Sequence, residues 1–434
     1  MRVLIVSDNY APNGDGIAAS VISLATGLCE LGHEVTVIAP RANAPLPPAE
    51  YMTYFVPSFA TGYGDYRFSW PSAGAVKRIV EYCTPDIVHV HSLGSLGLLA
   101  ASHCRRLGIK CVLTWHTDLE AYRKAYPVLN FCIPLMYLAS VPRRLPTAVA
   151  RLLLRTTITL TTRARLAEYY RQMLCGTLTL FDHVITPSAK AASSIADLLP
   201  GDSVSIIPTA PIPAQELDAE SRRRLHSLRK VLHGGDAVIC FVGRLSKEKN
   251  LELLLRVMAR HVLPEYPGAR LNVIGGGRRR NHYERLTQAL QISHAVTFSG
   301  PLPREIVGHV LKSCTVLAHP ALSETQGMVI DEAALAGVPA VVLDPELAVR
   351  HAVTGYIATS ESSLGTELVR IIRAPEIRRR LGVNARRAVE KYTSRQYAAR
   401  VAAVYLEVVG RDRKKQSKTG PLSGPSFSGD RSIH

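Results

Sequence analysis

Short runs of unbroken apolar residues alternate along the chain with longer segments of helical spacing. Arg2–Ser7 reads as a strand, Ala18–Leu31 has helical spacing and is stopped at Gly32, and Glu34–Ala39 reads as a second strand. Asp86–His91 and Lys110–Trp115 read as two more. Strands that are apolar at nearly every position fit a parallel sheet covered on both faces. The pattern restarts near residue 236. Ala237–Val242 reads as a strand, Leu251 to about Val262 as a helix, and Leu271–Ile274, Val296–Ser299, Thr315–His319 and Ala340–Leu343 as further strands. The expected fold is α/β, with two doubly wound, Rossmann-like units in tandem facing each other across a cleft.

Three prolines in Pro208–Gln215 mark a stiff connection between the units. The expected division is 1–210 for an N-terminal Rossmann-like unit and 211–385 for a C-terminal one. A C-terminal helix over 386–410 crosses back to the first unit, and 411–434 forms a disordered basic tail. Pro127–Leu180 breaks the alternation as an irregular apolar and basic insert.

At 434 residues the chain is too long for one ordinary core, and a mean hydropathy of +0.08 excludes a mainly disordered one. No apolar run reaches the roughly 18 residues that a spanning helix needs. Met1–Val6 is too short for a signal sequence. Eight cysteines are scattered without a C-x-x-C pair, which fits free thiols in a reducing cytoplasm and no zinc site. A net charge of +17 calls for an anionic partner. Nucleic acid is set aside: no aromatic-studded basic stripe is present, and only 6% of residues are aromatic.

Five segments carry candidate chemistry. Asn13-Gly14-Asp15-Gly16-Ile17 lies between the first strand and a helix, where glycines let backbone N–H groups approach a phosphate; a plain tight turn is the alternative. Arg244 and Lys249 flank the turn after Ala237–Val242 and offer two cations to a diphosphate, or form a solvated basic turn. Gly275-Gly276-Gly277 allows close backbone approach to a ligand, or serves only as a flexible loop. In Pro320–Ala333, Gly327 opens a helix, with Glu324 on the loop before it and Glu332 inside it. Two carboxylates on either side of a glycine turn can serve two hydroxyl-bearing rings while the helix start takes the phosphate; a helix cap with one surface Glu is the alternative. Trp115-His116-Thr117-Asp118 ends a first-unit strand and turns His116 toward the cleft; a structural histidine is the alternative.

Together these residues resemble the retaining glycosyltransferases of the GT-B fold, the large E-x7-E family of bacterial mannosyl- and glucosyltransferases. The resemblance spans about residues 1–410. Its strongest element is Glu324 to Glu332, followed by Gly243-Arg244 with Glu248-Lys249-Asn250, then Gly16 and His116. It implies catalytic roles for His116, Arg244, Lys249 and Glu324. His116 touches the donor sugar, Arg244 and Lys249 neutralise the leaving diphosphate, and Glu324 orients the sugar hydroxyls. It implies donor binding by Gly16, Gly275, Gly276, Gly327, Met328, Val329 and Glu332, the last on the ribose. Tyr10, Asn13, Thr117, Asp118 and Tyr122 fall on the acceptor side. No metal or other cofactor is expected, only a nucleotide-diphosphate sugar as co-substrate. Where the family often carries a glycine pair followed by Glu, this chain has Leu343-Asp344-Pro345-Glu346-Leu347.

Ser323, Thr325, Gln326 and Gly327 are similar to the lipid-glycosylating branch. The insert adds a physical reason, since seven arginines (143, 144, 151, 155, 163, 165 and 171) face one acid, Glu168. Such a segment suits an anionic membrane surface, with about 1 kcal/mol per basic residue near it; an inserted helical pair that covers the acceptor pocket, its arginines merely solvated, is the alternative. The expectation is a hexose transferred to a lipid or polyprenyl-linked acceptor by a cytoplasmic protein peripheral on the inner face of the membrane. A soluble acceptor such as a natural-product intermediate, and a non-catalytic sugar-nucleotide-binding protein, are the alternatives.

Overall fold

The computed structural model describes residues 1–10, 15–41, 49–60, 67–69, 73–116, 163–214, 216–232 and 236–418. The first lobe is built on seven parallel strands: β1 (Arg2–Val6), β2 (Glu34–Pro40), β3 (Met52–Val56), β6 (Ile87–Val90), β7 (Lys110–Thr114), β8 (His183–Thr186) and β9 (Val204–Ile206). Their order is β3-β2-β1-β6-β7-β8-β9. A small antiparallel pair, β4 (Ser58–Ala60) and β5 (Arg67–Ser69), lies beside this sheet. The second lobe has β10 (Ala237–Val242), β11 (Ala269–Ile274), β12 (Val296–Gly300), β13 (Val316–His319), β14 (Ala340–Val342) and β15 (Gly355–Ile357). They run parallel in the order β12-β11-β10-β13-β14-β15.

The central strands are apolar at consecutive positions because helices cover both faces. Leu4, Ile5 and Val6 are fully buried, as are Ile239 and Cys240. In each sheet the chain leaves the first strand in one direction, then returns to add strands on the other side. The order therefore reverses between β1 and β6 and between β10 and β13. Crevices at such reversals, at the carboxyl ends of the strands, are where doubly wound sheets bind ligands.

Six strands lack a sequence signal: β3, β4, β5, β8, β9 and β15. Each has three to five residues, too short a run to stand out, and Thr53 and Ser205 interrupt two of them. The helix expected over Leu251–Val262 is α-helical only to Val257 and then widens into a π-turn over Met258–Val262.

The insert expected over 127–180 lies outside the described residues up to 162. Its last part is not irregular, because Arg163–Leu178 forms one helix. Arg411–Lys418, expected as part of a disordered tail, are helical: the final helix runs from Ser394 to Lys418, and 419–434 lie outside the described residues. Gly410 costs such a helix about 1 kcal/mol, too little to stop it, and the Arg411–Glu407 pair at 2.8 Å spans the glycine.

That final helix packs on the helix Gly16–Glu30 of the first lobe. A Cβ on Gly27 would fall 2.1 Å from the Ser394 carbonyl oxygen, so the glycine permits the close crossing. Tyr397, Val401 and Tyr405 enter the first-lobe core beside Val3 and Ile5. Each such burial is worth roughly 1.5–3 kcal/mol, so the C-terminus is an integral part of the first lobe.

Candidate active site

The second-lobe half of the site lies at the carboxyl ends of β10, β11 and β13. The turn after β10 and the triple glycine after β11 pack backbone to backbone. Gly275 and Gly277 have φ of +138° and +155°. A Cβ on Gly275 would meet the Gly243 carbonyl oxygen at 1.9 Å, and one on Gly277 the Leu245 carbonyl oxygen at 2.6 Å. These two glycines let the turns touch each other, and Gly276 lies against Pro301.

Lys249 ends a short 3₁₀ turn, and Asn250 takes the left-handed conformation (φ +55°) to redirect the chain into the next helix. The Asn250 amide donates to the Pro320 carbonyl at 3.2 Å, tying this turn to the loop after β13. Lys249 donates to Oε1 of Glu324, and His319 Nε2 lies 3.4 Å from the same oxygen. Burial alone would raise the Glu324 carboxyl; Lys249 and His319 outweigh it and hold the group well below the usual carboxylate range. Arg244 lies 3.5 Å from Glu248 Oε1. Both predicted cations therefore stand at the turn, and each faces a carboxylate.

Gly327 (φ +76°) precedes the helix Met328–Leu335. Glu332, inside that helix, pairs with Arg304 at the start of the helix Arg304–Leu311. Burial pushes the Glu332 carboxyl up, while Arg304 opposes it. Val329 is half-buried in the first turn.

The first lobe contributes the ends of β1, β6 and β7. Gly16 starts the helix capped by Asp15, whose Oδ1 accepts from the Ala18 N–H at 2.8 Å. A Cβ on Gly16 would lie 3.7 Å from the Met328 Sδ, so the two helix starts face each other. The Nε2 of His116 is 3.1 Å from Nδ1 of His91, and burial pushes the His116 ring down to about 3. Tyr10 departs from the expectation of an acceptor contact. It is buried among core residues and bonds Tyr51 through its hydroxyl at 2.9 Å, so its ring belongs to the first-lobe core. Asn13, Thr117, Asp118 and Tyr122 lie outside the described residues.

The loop carrying Glu324 is stitched to the first lobe. Thr325 donates its hydroxyl to the His116 carbonyl at 2.9 Å and accepts at its own carbonyl from Ser188. Lys190 reaches the Leu322 carbonyl at 2.7 Å, Asp344, and Glu346 at 3.5 Å. Gln326 donates to the Thr209 carbonyl and accepts from the Thr209 N–H. His319, Arg304, His91 and Lys190 carry no sequence signal, because each matters through a neighbour distant along the chain. Among the described residues, no group of three or more His, Cys, Asp or Glu could hold a metal ion, and no helix is long and apolar enough to cross a membrane.

Two Rossmann-like lobes, with Lys249, Glu324 and the glycine turns gathered at the carboxyl ends of the second sheet, define a protein of the GT-B type. Comparison with known proteins agrees. The family "Glycosyltransferase Family 4" matches residues 14–210 and "Glycosyl transferases group 1" matches residues 225–388, so the first match ends within the proline-rich connection and the second begins after it. The chain belongs to the GT-B glycosyltransferases. It is 24% identical over 428 residues to an alpha-monoglucosyldiacylglycerol synthase of Acholeplasma laidlawii, covering 96% of this chain and 100% of that one. It is 27% identical to a GDP-mannose-dependent alpha-mannosyltransferase of Mycolicibacterium smegmatis, covering 95% and 98%. Sucrose-phosphate synthase from Thermosynechococcus elongatus shares the fold, with a TM-score of 0.67 at 17% identity over 94% of this chain and 99% of that one.

Proposed function

We propose that this glycosyltransferase moves a hexose from a nucleotide-diphosphate donor to a hydroxyl of a lipid or polyprenyl-linked acceptor at a membrane surface. The anomeric configuration is retained and no metal takes part. The reading rests on one arrangement: Lys249, Glu324 and the helix start at Gly327–Val329 converge at the strand reversal of the second lobe, opposite His116. Backbone N–H groups at that helix start suit the donor phosphates. Glu332 suits the ribose, and Glu324, with Oε1 held by Lys249, has Oε2 left for the sugar hydroxyls.

In the transfer the bond from the anomeric carbon to the diphosphate oxygen breaks, and the sugar gains positive character while the diphosphate gains negative charge. Lys249 and Arg244 are fixed cations beside that charge; removing one such group typically weakens transition-state stabilisation by about 3 kcal/mol. The acceptor hydroxyl attacks from the face the diphosphate leaves, and its proton goes to a diphosphate oxygen. No protein base is assigned.

The lipid acceptor is supported by the name of the Acholeplasma laidlawii relative and by the arginine-rich 127–180 segment. The test incubates the full chain with UDP- and GDP-hexoses and either diacylglycerol in anionic vesicles or a panel of soluble acceptors, with EDTA present. A labelled lipid product with the donor's anomeric configuration by NMR is expected. Transfer to soluble acceptors alone, with no cosedimentation at low salt, overturns the membrane reading.

A further inference from the structure

Three histidines meet at the carboxyl edge of the first sheet, and only His116 has a place in the reading above. We propose that His91 is a positioning residue for the transfer: it holds the His116 imidazole in the tautomer with its proton on Nδ1, so that His116 meets the donor sugar as a neutral hydrogen-bond donor. The step from His116 to the sugar rests on the function proposed above; the tautomer itself does not.

His91 follows β6, His116 follows the neighbouring β7, and the His91 N–H donates to the Val6 carbonyl at 2.8 Å, which fixes its backbone. His89, on the same strand, is fully engaged. Its Nδ1 is 2.5 Å from the Tyr405 hydroxyl and its Nε2 2.6 Å from Thr114 Oγ1, while its ring lies 4.4 Å from that of His91. That leaves the His91–His116 pair, where Nδ1 of one faces Nε2 of the other at 3.1 Å and a single proton lies between them.

Burial drives both rings to the neutral form, and His89 and His116 further oppose a charge on His91. Each ring therefore carries one proton. The Nε2 of His91 is buried and has no hydrogen-bond partner among the described residues. If His116 donated, the His91 proton would sit on that Nε2 as an orphaned N–H, the rarer and more costly kind of buried defect. If His91 donates, the defect is only a bare lone pair. The second arrangement places the His116 proton on Nδ1, which no described residue engages. Thr325 meanwhile holds the His116 carbonyl and so orients the backbone.

The test is ¹⁵N-histidine labelling of the full chain, with His116 assigned by His116→Asn and its tautomer read from long-range ¹H–¹⁵N correlations. Wild type should show His116 protonated on Nδ1. His91→Phe, which keeps the ring but not the donor, should move the proton toward Nε2 and lower kcat about ten-fold or more with little change in donor KM. His91→Asn, whose amide N–H stands near the Nδ1 position, should restore the tautomer and most of the rate. A wild-type His116 protonated on Nε2, or a folded His91→Phe protein with unchanged tautomer and rate, overturns the proposal. Equal impairment in folded His91→Phe and His91→Asn proteins does the same. A His116→Asn enzyme with full activity instead overturns the sugar contact and leaves the tautomer standing.

Discussion

Thr325 donates its hydroxyl to the main-chain carbonyl of His116 at 2.9 Å, joining the loop of one lobe to the loop of the other. The same residue adjoins Glu324, and its own carbonyl accepts from Ser188. The carboxylate proposed to orient the sugar is thus positioned partly by the opposite lobe. Thr325→Val removes the hydroxyl at nearly constant volume. The net loss of one hydrogen bond is about 1 kcal/mol, so the melting temperature should fall little. The rate should fall further, about ten-fold in kcat, because small misplacement of a reacting geometry is costly. Steady-state kinetics beside a melting curve checks this; unchanged kcat at an unchanged melting temperature removes the contact from the positioning machinery.

Glu324 and Lys249 are coupled in stability as well as in chemistry. Either Lys249→Met or Glu324→Gln should reduce kcat by about 10²–10³, in line with the loss of one preorganised electrostatic partner. Glu324 also leaves a pH signature. Its folded-state carboxyl is held below the usual range, so its contribution is complete above the unfolded value and is lost as pH falls. The stability deficit of Glu324→Gln should therefore be constant from pH 7 down to about pH 5 and shrink below it. Melting curves across that range decide; a deficit already shrinking between pH 7 and pH 6 would mean that Lys249 does not hold the carboxylate.

The fold was legible where physics writes it locally. Leu4, Ile5 and Val6, or Ala237 to Phe241, are apolar at every position because both faces of the central strands are covered. The short β9 has Ser205 at its centre and sits at the sheet edge, so it carries no comparable run. Gly410 resembles a stop, yet the helix passes through it because Tyr405 and Val408 are buried just before it and Arg411 pairs across it. In the site, Lys249, Glu324, Gly327 and Glu332 stand out by spacing around glycines. Arg304, His319 and His91 do not, because the partners that give them meaning arrive only through the parallel crossovers. Tyr10 differs for the opposite reason: the resemblance put it on the acceptor side, while its ring packs into the core and its hydroxyl bonds Tyr51.

Asp331, beside Glu332 in the helix Met328–Leu335, is buried and accepts from the Gln326 amide at 3.0 Å. Burial pushes its carboxyl up to about 6, with Glu332 adding to the rise and the Gln326 bond opposing it. A raised folded value means the native state holds the proton more tightly than the unfolded chain. Stability should then fall as pH rises from about 4 to about 6 and stay lowered above that. Asp331→Asn keeps an oxygen for Gln326 and removes the charge. It should be more stable than wild type at pH 7.5, by up to about 3 kcal/mol, and indistinguishable from it at pH 4. Paired melting curves test the sign; an equal gain at both pH values would place its origin outside the ionisation of Asp331.

Lys190 bridges the lobes. It reaches Asp344 and Glu346 as well as the Leu322 carbonyl. Asp344 is only 3% exposed, so losing its partner strands a buried charge. Lys190→Met should destabilise by about 3 kcal/mol, the usual scale for breaking a buried pair from one side. Lys190→Met combined with Asp344→Leu should recover most of that loss, since no unpaired charge remains. Donor KM should stay raised in both variants, because the Leu322 anchor next to the Glu324 loop is missing in each. Denaturant unfolding of the single and double variants, together with donor titrations, separates the two effects. Recovery of donor KM in the double variant would show that the bridge acts only through stability.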